Sequence, residues 1–179
     1  MRLIFTFLLF CTSLFLRGQE INLPIDSISK SVTYSKIIKI KGLNKDSLFN
    51  RGKSWFYSFY KNPKGVIKEE NKENYRIVGK SIFNIYDYPD KDGYKKYYGQ
   101  IQYTINTQYK DERVKIEITN INLKSTSYFP IEKWLDKNSP YYSKKNYYYL
   151  QQIDEELRRV IKEFESYLTK ENIKLSDDW

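Results

Sequence analysis

Val32 and Tyr34 alternate with polar neighbours, and so do Ile38 and Ile40. This period of two marks a half-buried strand. Lys36 interrupts the alternation while Ile37 adds an apolar residue on the opposite face, which predicts a bulge. Gly42 ends the strand, and Asn44 is placed to cap a helix by accepting a free backbone N–H. Asp46 falls in the first turn, where the helix dipole favours negative charge. Leu48, Gly52, Trp55 and Phe59 then share one face, widened by Phe49, Phe56 and Tyr60. Pro63 closes this helix, because proline lacks the N–H and moves Asn62 out of helical geometry. A glycine inside a helix costs about 1 kcal/mol against alanine. On the buried stripe, Gly52 therefore predicts a close helix–sheet approach.

Alternation returns downstream. Val66–Glu70 reads as a short strand, and a polar turn follows over Asn71–Asn74. Tyr75–Tyr86 is apolar on both faces, with Ile77, Phe83 and Ile85 on one and Val78, Ile82 and Tyr86 on the other. Asp90–Gly93 is a turn. Along Tyr97–Tyr109, Tyr97, Ile101, Tyr103, Ile105 and Tyr109 face one way. Tyr98, Gln100, Gln102, Thr104, Asn106 and Gln108 face the other. After a turn at Lys110–Glu112, Val114, Ile116 and Ile118 alternate with polar residues, predicting an antiparallel hairpin with one dry and one wet face. Residues 125–146 read as a loop pinned by Phe129, Ile131, Trp134 and Leu135. A last amphipathic helix covers about residues 147–171, with Leu150, Ile153, Leu157, Val160, Ile161, Phe164 and Leu168 on its apolar face.

Several of these stretches carry a resemblance. The Leu-Pro-x-Asp opening at Leu23–Asp26, the Val-x-Tyr strand and the Gly-Leu-x-Lys-Asp-x-Leu corner at Gly42–Leu48 are similar to a family of secreted bacterial proteins of unknown function. Trp55-Phe56 and Ile77–Lys80 match it as well. The resemblance runs from about Leu23 to Leu168, with residues 136–148 departing from the pattern. It implies an α+β, TBP-like (TATA-binding-protein-like) fold of β-α-β-β-β-β-α order, an antiparallel sheet with two helices on one face. It implies no catalytic residue.

Residues 1–18 fit a signal peptide. Arg2 precedes an apolar run from Leu3 to Leu16, and Gly18 offers a small residue for cleavage. The run is shorter than the roughly 20 residues that span a bilayer, so a retained anchor is the weaker reading. A lipoprotein signal at Cys11 is weaker still, because Phe10 occupies a position that calls for a small residue. The expected organisation is a signal peptide at 1–18, an N-terminal arm at 19–30, one α+β domain at 31–171 and a tail at 172–179. The expected address is exported, in the periplasm or beyond.

The chain has no histidine, and its one cysteine lies in the leader. A mature chain would hold no disulfide and no Cys or His metal site; no cofactor is expected. Ser27 and Lys30 have the spacing of a serine activated by lysine, but lie before the first strand without partner motifs. Glu69 and Glu70 are adjacent on a strand, so they point to opposite faces and form no carboxylate pair. Tyr88 and Gly99 occupy positions where a calcium loop around Asp90 would need acids. A hydrolase is thus the remote reading.

The formal charge is +9. Lys39, Lys41, Lys45, Lys61, Lys64, Lys95, Lys96, Lys144 and Lys145 scatter over several elements, whereas a nucleic-acid footprint needs one face. Nucleic acid is therefore not an expected partner. Weak attraction to anionic envelope lipid or glycan is the alternative. The leading expectation is a non-enzymatic binding or scaffold module of the cell envelope, taking a protein, peptide or glycan. Its candidate surface is the uncovered sheet face: Gln100, Gln102, Thr104, Asn106 and Gln108, with Val78, Ile82 and Tyr86 if the strands lie in register. Few charges, amides for orientation and some apolar area suit recognition.

Overall fold

In the computed structural model, residues 21–170 are described. The expected signal peptide, the first two residues of the arm and the tail lie outside the described residues.

The first strand, β1 (Tyr34–Lys39), leads through the corner at Gly42 into helix α1 (Lys45–Phe59). Gly42 has φ +79°, which a side chain would strain. Two groups satisfy the start of α1. Asn44 accepts from the Ser47 N–H at 2.9 Å, and the Asp111 carboxylate accepts from the Lys45 N–H at 2.8 Å. A single turn of helix, α2 (Pro63–Val66), follows. Then come β2 (Ile67–Asn71), β3 (Arg76–Tyr86), β4 (Tyr97–Lys110) and β5 (Arg113–Leu123). A two-residue strand β6 (Phe129–Pro130), a 3-10 turn (Ile131–Trp134) and the long helix α3 (Asn146–Thr169) complete the described chain.

The sheet is antiparallel, in the order β1-β5-β4-β3-β2, with β6 also on β5. Helices α1 and α3 cover one face, as the pattern predicts. The α1–sheet contact is tight because Gly52 lies on it. A Cβ there would sit 1.9 Å from the Tyr109 hydroxyl oxygen of β4. Helix α3 buries Leu150, Ile153, Leu157, Val160, Phe164 and Leu168, each worth about 1.5–3 kcal/mol relative to exposure. Trp55 of α1 meets Phe164 edge-on at 4.9 Å between centroids, which locks the two helices side by side.

The structure corrects three expectations. First, β1 has no bulge at Lys36: Tyr34 through Lys39 pair with Ile118 through Arg113 without a slip. Lys36 stays in phase because β1 is an edge strand, and its ammonium reaches Glu165 of α3 at 2.5 Å. Second, the register slips between Ile85 and Tyr86, so Tyr97 pairs with Tyr86. This exchanges the two tyrosines. Tyr97 meets Tyr86, while Tyr98 stacks on Tyr149 of α3 at 4.0 Å. Third, the loop at 125–146 contains β6 and the 3-10 turn, and its four pinning residues are all buried or half-buried. Beyond the stretch whose alternation the sequence shows, Asn120 is an extra residue in β5, at φ +52°. It resets the alternation, so that Ile118 and Ile121 both face the core.

The described part of the arm is docked. Leu23 is buried, Ile25 bridges Val32, and the Ile21 N–H donates to the Tyr147 hydroxyl. Ser27 and Lys30 are exposed there.

Candidate functional site

Neither long helix lies over the second sheet face, and pairing turns its residues into transverse rows. Val78 faces Asn106, which faces Glu117. Lys80 faces Thr104, and Ile82 faces Gln102, which faces Asn122. Asn84 faces Gln100, and Tyr86 faces Tyr97. The register therefore brings together all eight candidate residues: Gln100, Gln102, Thr104, Asn106, Gln108, Val78, Ile82 and Tyr86. Ile82 is 43% exposed, an apolar side chain left in the open beside Gln102.

The ladder is partly self-satisfied. Arg76 donates its Nε–H to the Asn106 side-chain carbonyl at 2.9 Å, and Gln100 donates to the Asn84 carbonyl at 3.2 Å. Lys124 reaches the Gln100 carbonyl at 3.4 Å. Among the described residues, the Gln102 and Gln108 amides have no side-chain partner. These two are the amides available to a ligand.

The expectation of few charges needs correction. The middle of β4 is uncharged, but its neighbours are not. Arg76 and Lys80 stand on the β3 side, and Lys115 pairs with Glu117 on the β5 side. Glu69 also lies on this face, 3.9 Å from Arg76, whereas Glu70 turns to Lys53 of α1 at 2.7 Å. The two glutamates thus point apart, as strand geometry requires. At the β4–β5 hairpin, Lys39, Arg113 and Lys110 form a row of three cations. A recess of about 250 Å³ lies there, lined by Ile37, Gln108, Lys110, Arg113 and Lys115. The sequence showed lysines on separate elements, and only the register reveals this row.

Elsewhere, polar chemistry is tied into structure. Tyr109 is buried and donates to Thr107, which donates to the Ile77 carbonyl. Burial holds the Tyr109 phenol protonated well above its ordinary range. Tyr149 donates to Asp87, and burial followed by that carboxylate raises its pKa too. Tyr34 donates to Asp154, whose two carboxylate oxygens also share the Nε–H of Arg158. Asp90 accepts from the Asp92 and Tyr94 N–H groups of its own turn. Among the described residues, no group of three His, Cys, Asp or Glu is placed to hold a metal ion. No helix among them is long and apolar enough to cross a membrane.

Comparison with known proteins matches residues 34–124, just over half the chain, to a family described as a domain of unknown function (DUF4468) with TBP-like fold. Two solved structures share the architecture. A TBP-like protein from Parabacteroides distasonis aligns with a TM-score of 0.63 at 16% identity, over 79% of this chain and 94% of that one. A DUF4468 family protein from Bacteroides ovatus aligns with a TM-score of 0.66 at 13% identity, over 84% of this chain and 93% of the other. No functionally curated protein matches the sequence.

Proposed function

The chain belongs to the DUF4468 family, with its TBP-like fold, and we propose that it is a non-enzymatic binding module that uses the uncovered face of its sheet. One observation carries this reading: strand pairing assembles five uncharged polar side chains of β4 and three apolar ones of β3 on a face that neither long helix covers. Exposed sheet usually carries alternating lysines and acids; this strand carries amides and a hydroxyl. Amides can donate and accept at once, so they orient a partner without the desolvation cost of charge. The raised pKa values of Tyr109 and Tyr149 agree with a structural role, since a phenol serving as general acid or base needs a pKa near working pH.

The setting proposed is the cell envelope, reached by export through residues 1–18, with a peptide, glycan or partner domain docking on the ladder. The test replaces Gln102 and Thr104 with lysine. Circular dichroism confirms the fold, and partners recovered with the protein from its native host are compared with wild type. Recovery should fall at least about tenfold, because two buried, unpaired charges cost more than 1.4 kcal/mol. Full retention of every partner would remove this face from consideration.

A further inference from the structure

We infer that the recess at the hairpin end of the open face is a binding site for a phosphate-bearing group. It adjoins the Gln108 end of the amide ladder and shares that residue, and it stands whether or not the rest of the ladder holds a partner.

The argument begins with register. Lys39 is opposite Arg113, and Arg113 is opposite Lys110. Like charges directly opposite on neighbouring strands repel, yet three strands place cations side by side. In the next row, Ile37, Lys115, Gln108 and Arg76 lie across four strands. Five cations thus stand within two rows.

Nearby acids pair with only two of the five. Asp111 accepts from the Lys45 N–H, and Glu112 accepts from the Gly42 N–H. Glu117 pairs with Lys115, and Glu69 faces Arg76 at 3.9 Å. Among the described residues, Lys39, Lys110 and Arg113 have no carboxylate within 4.0 Å. The local rule is broken where a cavity opens, which is where a functional site is expected.

The cavity sets the ligand class. About 250 Å³ suits one small group rather than a polymer strand. An arginine fork with neighbouring ammonium groups matches the several oxygens of a phosphate, and the Gln108 amide adds a neutral donor. Ile37, 61% exposed beside it, offers an apolar surface to whatever carbon skeleton carries the phosphate. The phosphate could belong to a lipid headgroup or to a soluble compound, and the experiment separates the two.

The full chain is measured against pyrophosphate by calorimetry, and against vesicles of phosphatidylcholine alone or mixed equally with phosphatidylglycerol by flotation. Variants are Lys110→Glu with Arg113→Glu, and a control with the same charge change elsewhere, Lys91→Glu with Lys137→Glu. Saturable pyrophosphate binding identifies a soluble ligand; binding to mixed vesicles alone identifies a headgroup. Either should weaken at least about tenfold in the recess variant, weaken with added salt, and persist in the control and in Gln102→Lys with Thr104→Lys. The recess variant should melt close to wild type, since the two introduced carboxylates still repel each other while the one at position 113 attracts Lys39. Absence of binding to both probes overturns the inference. So does equal loss in the control, or binding to polyglutamate with none to either phosphate probe.

Discussion

A methyl group at residue 52 would have nowhere to go. The Cβ position lies 1.9 Å from the Tyr109 hydroxyl and 2.4 and 2.5 Å from two ring carbons. The hydroxyl is anchored by Thr107, so it cannot swing away without breaking a buried hydrogen bond. Gly52→Ala should therefore destabilise by about 1–3 kcal/mol, although alanine is the better helix former by about 1 kcal/mol. Tyr109→Phe should rescue little, because the ring carbons remain. Tyr109→Leu should make Gly52→Ala nearly neutral. Urea unfolding of the double-mutant cycle reads this coupling; purely additive effects would contradict the contact. The glycine's position on the apolar stripe was visible in the sequence. Its partner was not, nor was the burial of Thr107, whose hydroxyl disguises a core position until a neighbouring strand supplies the Ile77 carbonyl.

At the scale of elements, bulges decide which side chains are presented. The alternation Val114, Ile116, Ile118 would send Ile121 to the open face. Asn120, at φ +52°, absorbs one residue and returns Ile121 and Leu123 to the core side. Asparagine tolerates this conformation; a β-branched residue does not. Asn120→Val should cost about 1–3 kcal/mol and Asn120→Gly less than about 0.5 kcal/mol, measured by thermal unfolding. Equal melting of the two would mean that the bulge is not held as described. The second slip, between Ile85 and Tyr86, explains why Tyr97 and Tyr98 exchanged roles relative to simple alternation. Long strands and both long helices were legible because their periods repeat. Helix α2 and strand β6 were not, because four and two residues carry no period.

Across the whole molecule, the buried tyrosines set an alkaline limit. Tyr60, Tyr103 and Tyr109 all have pKa values raised above 10.0 by burial first. The folded state thus holds protons that the unfolded chain releases near pH 10. Their contribution is complete below that value and is lost as pH rises beyond it. The urea midpoint should fall steeply above about pH 10, with the last share of tyrosinate absorbance rising only as the protein unfolds. Tyrosinate absorbance that is complete before unfolding would place these phenols in solvent. The same scale explains why the cationic row escaped sequence reading. Lys110 and Arg113 flank one hairpin turn, but Lys39 lies far earlier in the chain and joins them only through β1-β5-β4 order.

The account's central claim is that partners meet the open sheet face. A photo-crosslinking residue at Gln102, on that face, can be compared with one at Glu155, exposed on the opposite side on α3. After irradiation in the native host, intact-mass analysis reads adducts. The account predicts a defined adduct from position 102 and none of that mass from position 155. Adducts equal at the two positions, or confined to position 155, would contradict it.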